Sequence, residues 1–455
     1  MSRSVQFLHP LLQLADGPVL TEGLNDPALS VAPTLETERR SERDFTDALA
    51  SGEDLSAQRW GLIVPMGSTG DRLLESISPL IEERARQQDS KKEEVVVLRV
   101  PPGSDLSIQA ARTWREQYYD TIATWDRPTY LLILGNLHEV AESIHHVLSE
   151  RLVGRLAFSQ PSGEPDFVAY RQYAEKVLRW ESTPSPETEA RARILVVRDG
   201  TPATEMAMDA LVKPLLSLVD RAGARFPVSD INPEEQAWLI NGDGLVTQGS
   251  RRPATVLFTA SHGYGGPRGG WGAGQSEEQR QAQGALCFAL RGARLYGRDI
   301  AAMESFLPGG IWFMLACYGA GTPHSSHYRH WLERLAKSNE FAGSAASVLR
   351  ALPSASERPF IAAVPQAALA HPEGPLACIG HLDLAWSYSF QDFDTGRARS
   401  RPDAFFGVLR TLARRGRVGM AYLQLLQAQH MANNYLSYLY DTAEETNTPP
   451  PAAQL

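Results

Sequence analysis

Two runs decide the fold: Ala254-Thr-Val-Leu-Phe-Thr-Ala260, leading into Ser261-His262-Gly263, and Gly310-Ile-Trp-Phe-Met-Leu-Ala316, leading into Cys317. Each is short, almost wholly apolar and lacks the polar alternation of a strand with one wet face. Such runs read as strands of a parallel sheet buried on both sides. Each stops at a residue with chemistry of its own, with a small residue close behind: Gly263 after the histidine, Gly319 after the cysteine.

Working outward, the same kind of run recurs at Trp60–Pro65, Val95–Val100, Tyr130–Gly135, Leu152–Phe158 and Arg193–Arg198, and again at Phe360–Pro365 and Leu376–Gly380. Helical periodicity fills the gaps. Leu73, Leu74, Ile77, Leu80 and Ile81 predict one amphipathic helix. Further helices are expected near 105–125, over 166–181 and 203–222, and from about 402 to 440, the last carrying Phe405, Leu409, Leu412, Met420, Leu423 and Leu426. Thr183-Pro-Ser-Pro186 breaks the chain. The organisation expected is an extension over 1–55, an α/β subdomain over 56–185, a second α/β subdomain over 186–445 that carries the chemistry, and a loose tail over 446–455. The mixed charge run Arg39–Asp44 reads as a solvated helix or extension.

The 455 residues are 43% hydrophobic and 21% charged, with a net charge of −9 spread along the chain. That balance offers no basic face for a nucleic acid or an anionic membrane. The first twenty residues lack the unbroken apolar core of a signal peptide, and no window approaches a membrane span of ~18 apolar residues. A cytoplasmic location is therefore expected. Three cysteines, Cys287, Cys317 and Cys378, are neither a disulfide framework nor a C-x-x-C zinc site. Cys287 and Cys378 lie inside apolar runs and read as packing residues. No cofactor is expected.

In parallel α/β sheets, sites lie beyond the carboxyl ends of the strands. If the two runs are neighbours, His262 and Cys317 face one another there. A thiol is mostly protonated at neutral pH, whereas the thiolate is the nucleophile. An adjacent imidazole can take the proton and later return it to a leaving amine. Backbone N–H groups of Gly263 and Cys317 are candidates for holding the oxyanion. Glycine at 263 would let a substrate carbonyl approach without a Cβ in the way. The bland alternatives are a partly buried histidine and a cysteine serving as a small apolar residue. His324, His327 and His330 recur every third residue. With no acid evident nearby, they read as a solvated helix face and not as metal ligands. The glycine-rich stretch Gly263–Gly274 lacks the lysine of a phosphate loop and reads as a mobile loop beside the cleft.

A histidine some 50 residues before a cysteine flanked by small residues resembles the caspase-like clan of cysteine peptidases. The closest likeness is to the gingipain-type branch, carried by Leu131–Asn136, Val153–Leu156, Tyr173–Leu178 and Phe313–Pro323, within residues 125–390. The resemblance implies a caspase-haemoglobinase-like α/β fold, mainly a parallel sheet flanked by helices with a second α/β subdomain N-terminal to it. It implies a dyad of His262 and Cys317, an oxyanion site at Gly263 and Cys317, and cleavage of protein or peptide substrates. The chain departs from the family at Leu315, where caspases carry Gln and metacaspases often Asp, and at His145–Glu150, which lacks the gingipain pocket aspartate. Asp383 and Trp386 are the local candidates for a substrate pocket, with Glu150 a second acid from the other half. Asp383 either pairs with a basic residue before the cut or caps the next turn; Trp386 either walls the pocket or belongs to the core. Two other classes stay open: a catalytically silent caspase-fold binding or scaffold protein, and a cysteine acyltransferase, which would differ by leaving no free carboxyl terminus in its product. Control by an activating protease, cutting near Arg397-Ala-Arg399-Ser-Arg401, or by a separate regulator is expected. A bacterial defence or cell-death cascade fits by family analogy.

Overall fold

The computed structural model describes residues 12–14, 17–18, 52–54, 58–88, 94–183, 190–221, 228–230, 255–272, 274–288, 293–337, 345–353, 358–392, 399–429 and 442. In chain order the strands are β1 (Leu12–Leu14), β2 (Gly17–Pro18), β3 (Trp60–Pro65), β4 (Val96–Val100), β5 (Tyr130–Leu134), β6 (Leu152–Leu156), β7 (Arg191–Val196), β8 (Val228–Asp230), β9 (Thr255–Ala260), β10 (Gly263–Gly266), β11 (Leu286–Cys287), β12 (Arg294–Leu295), β13 (Ile311–Leu315), β14 (Gly321–Thr322), β15 (Phe360–Ile361), β16 (Ala377–Ile379), β17 (Gln391–Asp392) and β18 (Arg399–Ser400). One sheet runs β4-β3-β5-β6 and a second runs β16-β13-β9-β7-β8; every pairing in both is parallel. A third, mixed sheet runs β12-β11-β10-β1-β2.

The helices that matter below are α1 (Ser68–Ser76), α2 (Ser78–Gln87), α3 (Ser143–Val147), α4 (Phe167–Ser182), α5 (Lys213–Arg221), α6 (Arg329–Lys337), α7 (Ala363–Ala370) and α8 (Asp403–Ala413). The apolar strand runs are explained by burial on both faces. On one face of the second sheet, Val196, Phe258 and Leu315 pack with Leu215 of α5, Leu332 of α6 and Leu409 of α8. On the other, Leu195, Leu257 and Met314 meet Ile300, Phe306 and Val364. The mixed α/β fold with helix-flanked parallel sheets is therefore the one the sequence predicts. Among the described residues, no helix is long and apolar enough to cross a membrane.

Several local expectations change. The helix predicted over 73–81 is two helices. Ile77 leaves helical geometry (φ −111°, ψ 17°), and Pro79 in the first turn of α2 has no N–H to continue the ladder. Phe360–Pro365 is not one strand: only Phe360 and Ile361 pair, with β14, and the alanine-rich remainder opens α7. The helix expected over 402–440 stops at Ala413. Arg415 turns left-handed at φ 64°, and the Gly416 N–H donates to Thr411 O at 2.8 Å before residues 418–429 resume a helix. Residues 430–440 lie outside the described residues, as do Arg39–Asp44, Pro184–Pro186, Arg397 and the tail 446–455. The stretch read as a glycine-rich loop begins as β10, and β1 of the expected extension pairs beside it, Leu12 opposite Gly263.

The two parallel sheets are fastened through α4. Its Tyr170, Ala174 and Val177 pack on the first sheet, and its polar side reaches the loop before β16. The Lys176 ammonium, buried, donates to Leu369 O (2.6 Å), His371 O (2.9 Å) and Pro375 O (2.9 Å), and Tyr173 Oη donates to Leu376 O at 2.7 Å. The loop after β5 meets the same half, with Ile361 N donating to Asn136 Oδ1 at 2.8 Å. Through that contact, the carboxyl ends of the first sheet face the rim on which His262 and Cys317 sit.

Burial pushes the Lys176 pKa down to about 8. A base whose folded pKa lies below its unfolded one binds fewer protons folded than unfolded between the two values. Its contribution to stability therefore rises with pH across that window. Replacing Lys176 with Met leaves three buried carbonyls without donors and is expected to cost about 2–3 kcal/mol. In urea unfolding, the gap between wild type and variant should widen from about pH 8 to about 10. A gap that is constant or shrinks over that range sinks this account of the joint.

Candidate active site

The backbone ladder of the second sheet sets the site. Val196 of β7 pairs with Ala260 of β9, and Ala260 with Leu315 of β13. His262 and Cys317 each follow two residues after their member of this row, and Asp199 follows three after its own. One sheet end thus gathers an acid, an imidazole and a thiol from adjacent strands. Ser261 N donates to Leu315 O at 3.2 Å, carrying the pairing one step past the strands.

Asp199 was not a sequence candidate. Its stretch, Asp199-Gly-Thr201-Pro202, reads as the turn that starts the next helix. Thr201 is the N-cap of the helix opening at Pro202, and Asp199 Oδ1 accepts from Thr201 N (3.0 Å), Thr201 Oγ1 (2.7 Å) and Thr204 Oγ1 (2.7 Å). Its other oxygen lies 3.5 Å from His262 Nε2. Thr201 Oγ1 lies 2.7 Å from the same nitrogen. A hydroxyl has one proton, and an ionised carboxylate can only accept. Thr201 therefore donates to Asp199 and accepts from His262, which assigns the His262 proton to Nε2. Nδ1 then carries the lone pair. It is buried and has no hydrogen-bond partner among the described residues. Burial lowers the His262 pKa, against the opposing pull of Asp199, so the ring is neutral and ready to accept a proton.

Cys317 is 0% exposed. Its thiol accepts from Ala385 N at 3.2 Å and lies 3.6 Å from Ala385 O. Burial raises its pKa well above that of an ordinary thiol, opposed by the Ala385 N–H. No hydrogen bond joins it to His262 among the described residues, so the resting pair is neutral thiol and neutral imidazole. Just beyond, Tyr318 adopts a left-handed backbone (φ 57°) without being glycine, a strain of about 1–3 kcal/mol of the kind found where a turn must present a reactive side chain. Residues 318–320 pack on the 381–385 loop, with Tyr318 N on Asp383 O (2.9 Å) and Ala320 N on His381 O (2.8 Å). Tyr318 and Gly319 are buried there and Ala320 is half-buried.

Gly263 has a physical reason beyond substrate approach: a Cβ there would stand 1.8 Å from the Cys317 carbonyl oxygen. The two loops touch backbone to backbone at the point where an oxyanion would have to be held.

The pocket candidates fall differently. Asp383 Oδ1 accepts from Ser326 Oγ (2.9 Å) and Leu384 N (2.8 Å), and Oδ2 from His327 N (2.8 Å). Burial raises its pKa to about 6. Its carboxylate clasps a turn of the protein itself. Trp386, 3% exposed, packs edge-on against Trp331 and Tyr328 in the core. In this closed arrangement each takes the structural one of the two roles the sequence leaves open. Glu150 pairs with Arg115 at 2.7 Å before the amino end of β6, the end of the first sheet opposite to the loop that meets the half carrying His262 and Cys317. A cleft of 410 Å³ lined by Pro202, Met206 and Gln391 opens beside the Thr201 turn, and neither His262 nor Cys317 lines it. Cys287 is buried in β11 and Cys378 half-buried in β16, and all three cysteines are free. His324 and His327 precede α6, so only His330 of that series is helical.

No protein-family model and no curated protein matches the sequence. Among solved structures the fold is similar to gingipain R, an Arg-specific cysteine proteinase, at 10% identity and a TM-score of 0.43, over 85% of this chain and 75% of that one. A second likeness is to a structure described only as a protease, at 12% identity and a TM-score of 0.40; the chain covers 62% of its length. At such identity and superposition both remain distant, fold-level likenesses.

The buried neutral thiol has a measurable consequence. Alkylation of Cys317 by iodoacetamide in the resting protein should be slow and flat between about pH 6 and 8, the range in which a His-paired thiolate would already react. Rapid alkylation near pH 6 would mean an ion pair and an open site.

Proposed function

We propose that the chain is a cysteine endopeptidase, held closed at rest, in which Cys317 is the nucleophile, His262 the general base and acid, and Asp199 with Thr201 the positioning pair. The observation that carries this reading is the His262 ring: one nitrogen is fixed by Thr201 and Asp199, the other is buried with its lone pair unmatched, and Cys317 stands at the equivalent position of the neighbouring strand. In the open state the thiol proton passes to Nδ1 and the sulfur attacks the scissile carbonyl. The oxyanion is held by N–H groups at Gly263 and Cys317, the protonated imidazole is stabilised by Asp199, and its proton then goes to the leaving amine. Water attacks the acyl-enzyme with His262 as base and releases the new carboxyl terminus.

Opening requires the 381–385 loop to release Cys317. The same movement would free Asp383 from Ser326 and His327 and give it to a basic residue before the cut. The preference for Arg or Lys is thus tied to activation, by a protease or a regulator. A silent binding protein is favoured by one observation, the full burial of the thiol.

Fluorogenic peptides differing only before the cut (Arg, Lys, Asp, Leu) test this with wild type and Cys317→Ala. Cleavage that vanishes in the variant supports the dyad. Cleavage after Asp alone overturns the basic preference. Absence of cleavage even after limited proteolysis favours the binding reading. In active protein, Asp199→Asn should lower kcat by about 10²-fold or more with little change in KM, since it misorients the ring without touching substrate. An unchanged kcat removes Asp199 from the machinery.

A further inference from the structure

The Ser326–His327 turn, beyond β14, carries a second cluster of chemistry, built from parts far apart in sequence. Glu142 immediately precedes α3 and His146 follows one helical turn later, so both project from one side of it. His327 comes across from the catalytic half. One ligand atom from each lies within 4.8 Å of the other two. Glu142 Oε1 is 3.6 Å from His327 Nε2, and the His146 and His327 rings meet edge-on with centroids 5.5 Å apart. Both histidines are exposed and Glu142 is half-buried.

The backbones bearing these side chains are anchored. Asp105 accepts from Ala141 N at 2.6 Å and, through its carbonyl, from Ser143 Oγ at 2.6 Å, fixing the start of α3. The Asp383 carboxylate fixes His327 through its N–H and Ser326 through its hydroxyl. A carboxylate and two imidazoles on fixed backbones, with exposed rings leaving room for water, is a donor set for Zn²⁺ and its neighbours, whereas Ca²⁺ and Mg²⁺ call for oxygen throughout. Tetrahedral Zn²⁺ at about 2.0–2.1 Å from its donors sets them roughly 3.4 Å apart. The Glu142–His327 pair is near that already, and a His146 donor lies within 4.8 Å of both.

We propose that Glu142, His146 and His327 form a binding site for a zinc-class divalent metal ion, joining α3 of the first sheet to the Ser326–His327 turn of the half that carries Cys317. No acid stands beside His327 in its own segment; the fold supplies Glu142. Because Asp383 ties this turn to the loop that covers Cys317, a metal there also braces the closed site. The binding claim itself does not depend on the peptidase reading.

The full-length protein, stripped with chelator and dialysed, should take up one Co²⁺ with a visible absorption band that Zn²⁺ abolishes. Zn²⁺ should also raise its thermal midpoint. Glu142→Gln, His146→Gln and His327→Gln should each weaken Co²⁺ binding by at least about tenfold, while His324→Gln and His330→Gln leave it unchanged. Each variant's circular dichroism melt without metal checks that it folds, and three separate variants keep the test alive if one does not. Cys317→Ala should bind as wild type does. Binding lost in Cys317→Ala, or unaffected by both His146→Gln and His327→Gln, would place the metal elsewhere and overturn the proposal. So would a simple ion pair that takes up no Co²⁺.

Discussion

Everything at the site hangs on the backbone ladder joining β7, β9 and β13. Parallel pairing fixes not only which strands are neighbours but which residues share a row. Once Val196, Ala260 and Leu315 are aligned, the turns beyond them must deliver Asp199, His262 and Cys317 to a common edge. A slip of one residue would turn each side chain to the opposite face and divide the set between two layers of helices. The register is guarded by burial: alternate residues of these strands feed two separate apolar clusters, so a slipped strand would fit neither.

The resting arrangement answers a problem of charge. A thiolate and an imidazolium sealed from water would cost far more than the neutral pair, and here burial holds both groups neutral. The backbone of Ala385 brackets the sulfur from both its N–H and its carbonyl. Gly263 and Tyr318 supply what the sealed geometry needs, one by having no side chain to strike the Cys317 carbonyl, the other by accepting a strained turn. Asp383 joins these parts, because its carbonyl takes the Tyr318 N–H while its carboxylate grips the 326–327 turn.

What was legible in the sequence follows from what each signal depends on. Buried parallel strands announce themselves as continuous apolar runs, and β3, β5, β9 and β13 fall where the runs do. His262 and Cys317 were legible because each directly ends such a run. Asp199 was not: it sits in an ordinary helix-starting turn, and its role depends on β7 lying beside β9, which strand order alone decides. Glu142 and His327 meet for the same reason, through a contact between sheets that no local pattern encodes. Asp383 shows the converse limit. A carboxylate after a strand reads the same whether a substrate or its own backbone fills it. The break in the last helix was partly written at Gly416, but an apolar stripe resuming on the far side concealed it.

The pairing of β1 with β10 sets an order on assembly. Leu12 leaves the ribosome before any of the first sheet, yet its partner Gly263 emerges only after the whole of that sheet has been made. β1 must therefore wait for this partner while intervening chain collapses, and can dock beside β10 only when the histidine strand exists. Closing that edge is a late event in biogenesis, and it marks the nascent chain's passage from a folded first half to a finished rim around His262. A protein missing β1 would lose little of either parallel core, but would leave β10, the strand beside its histidine, with an open edge able to pair with another chain.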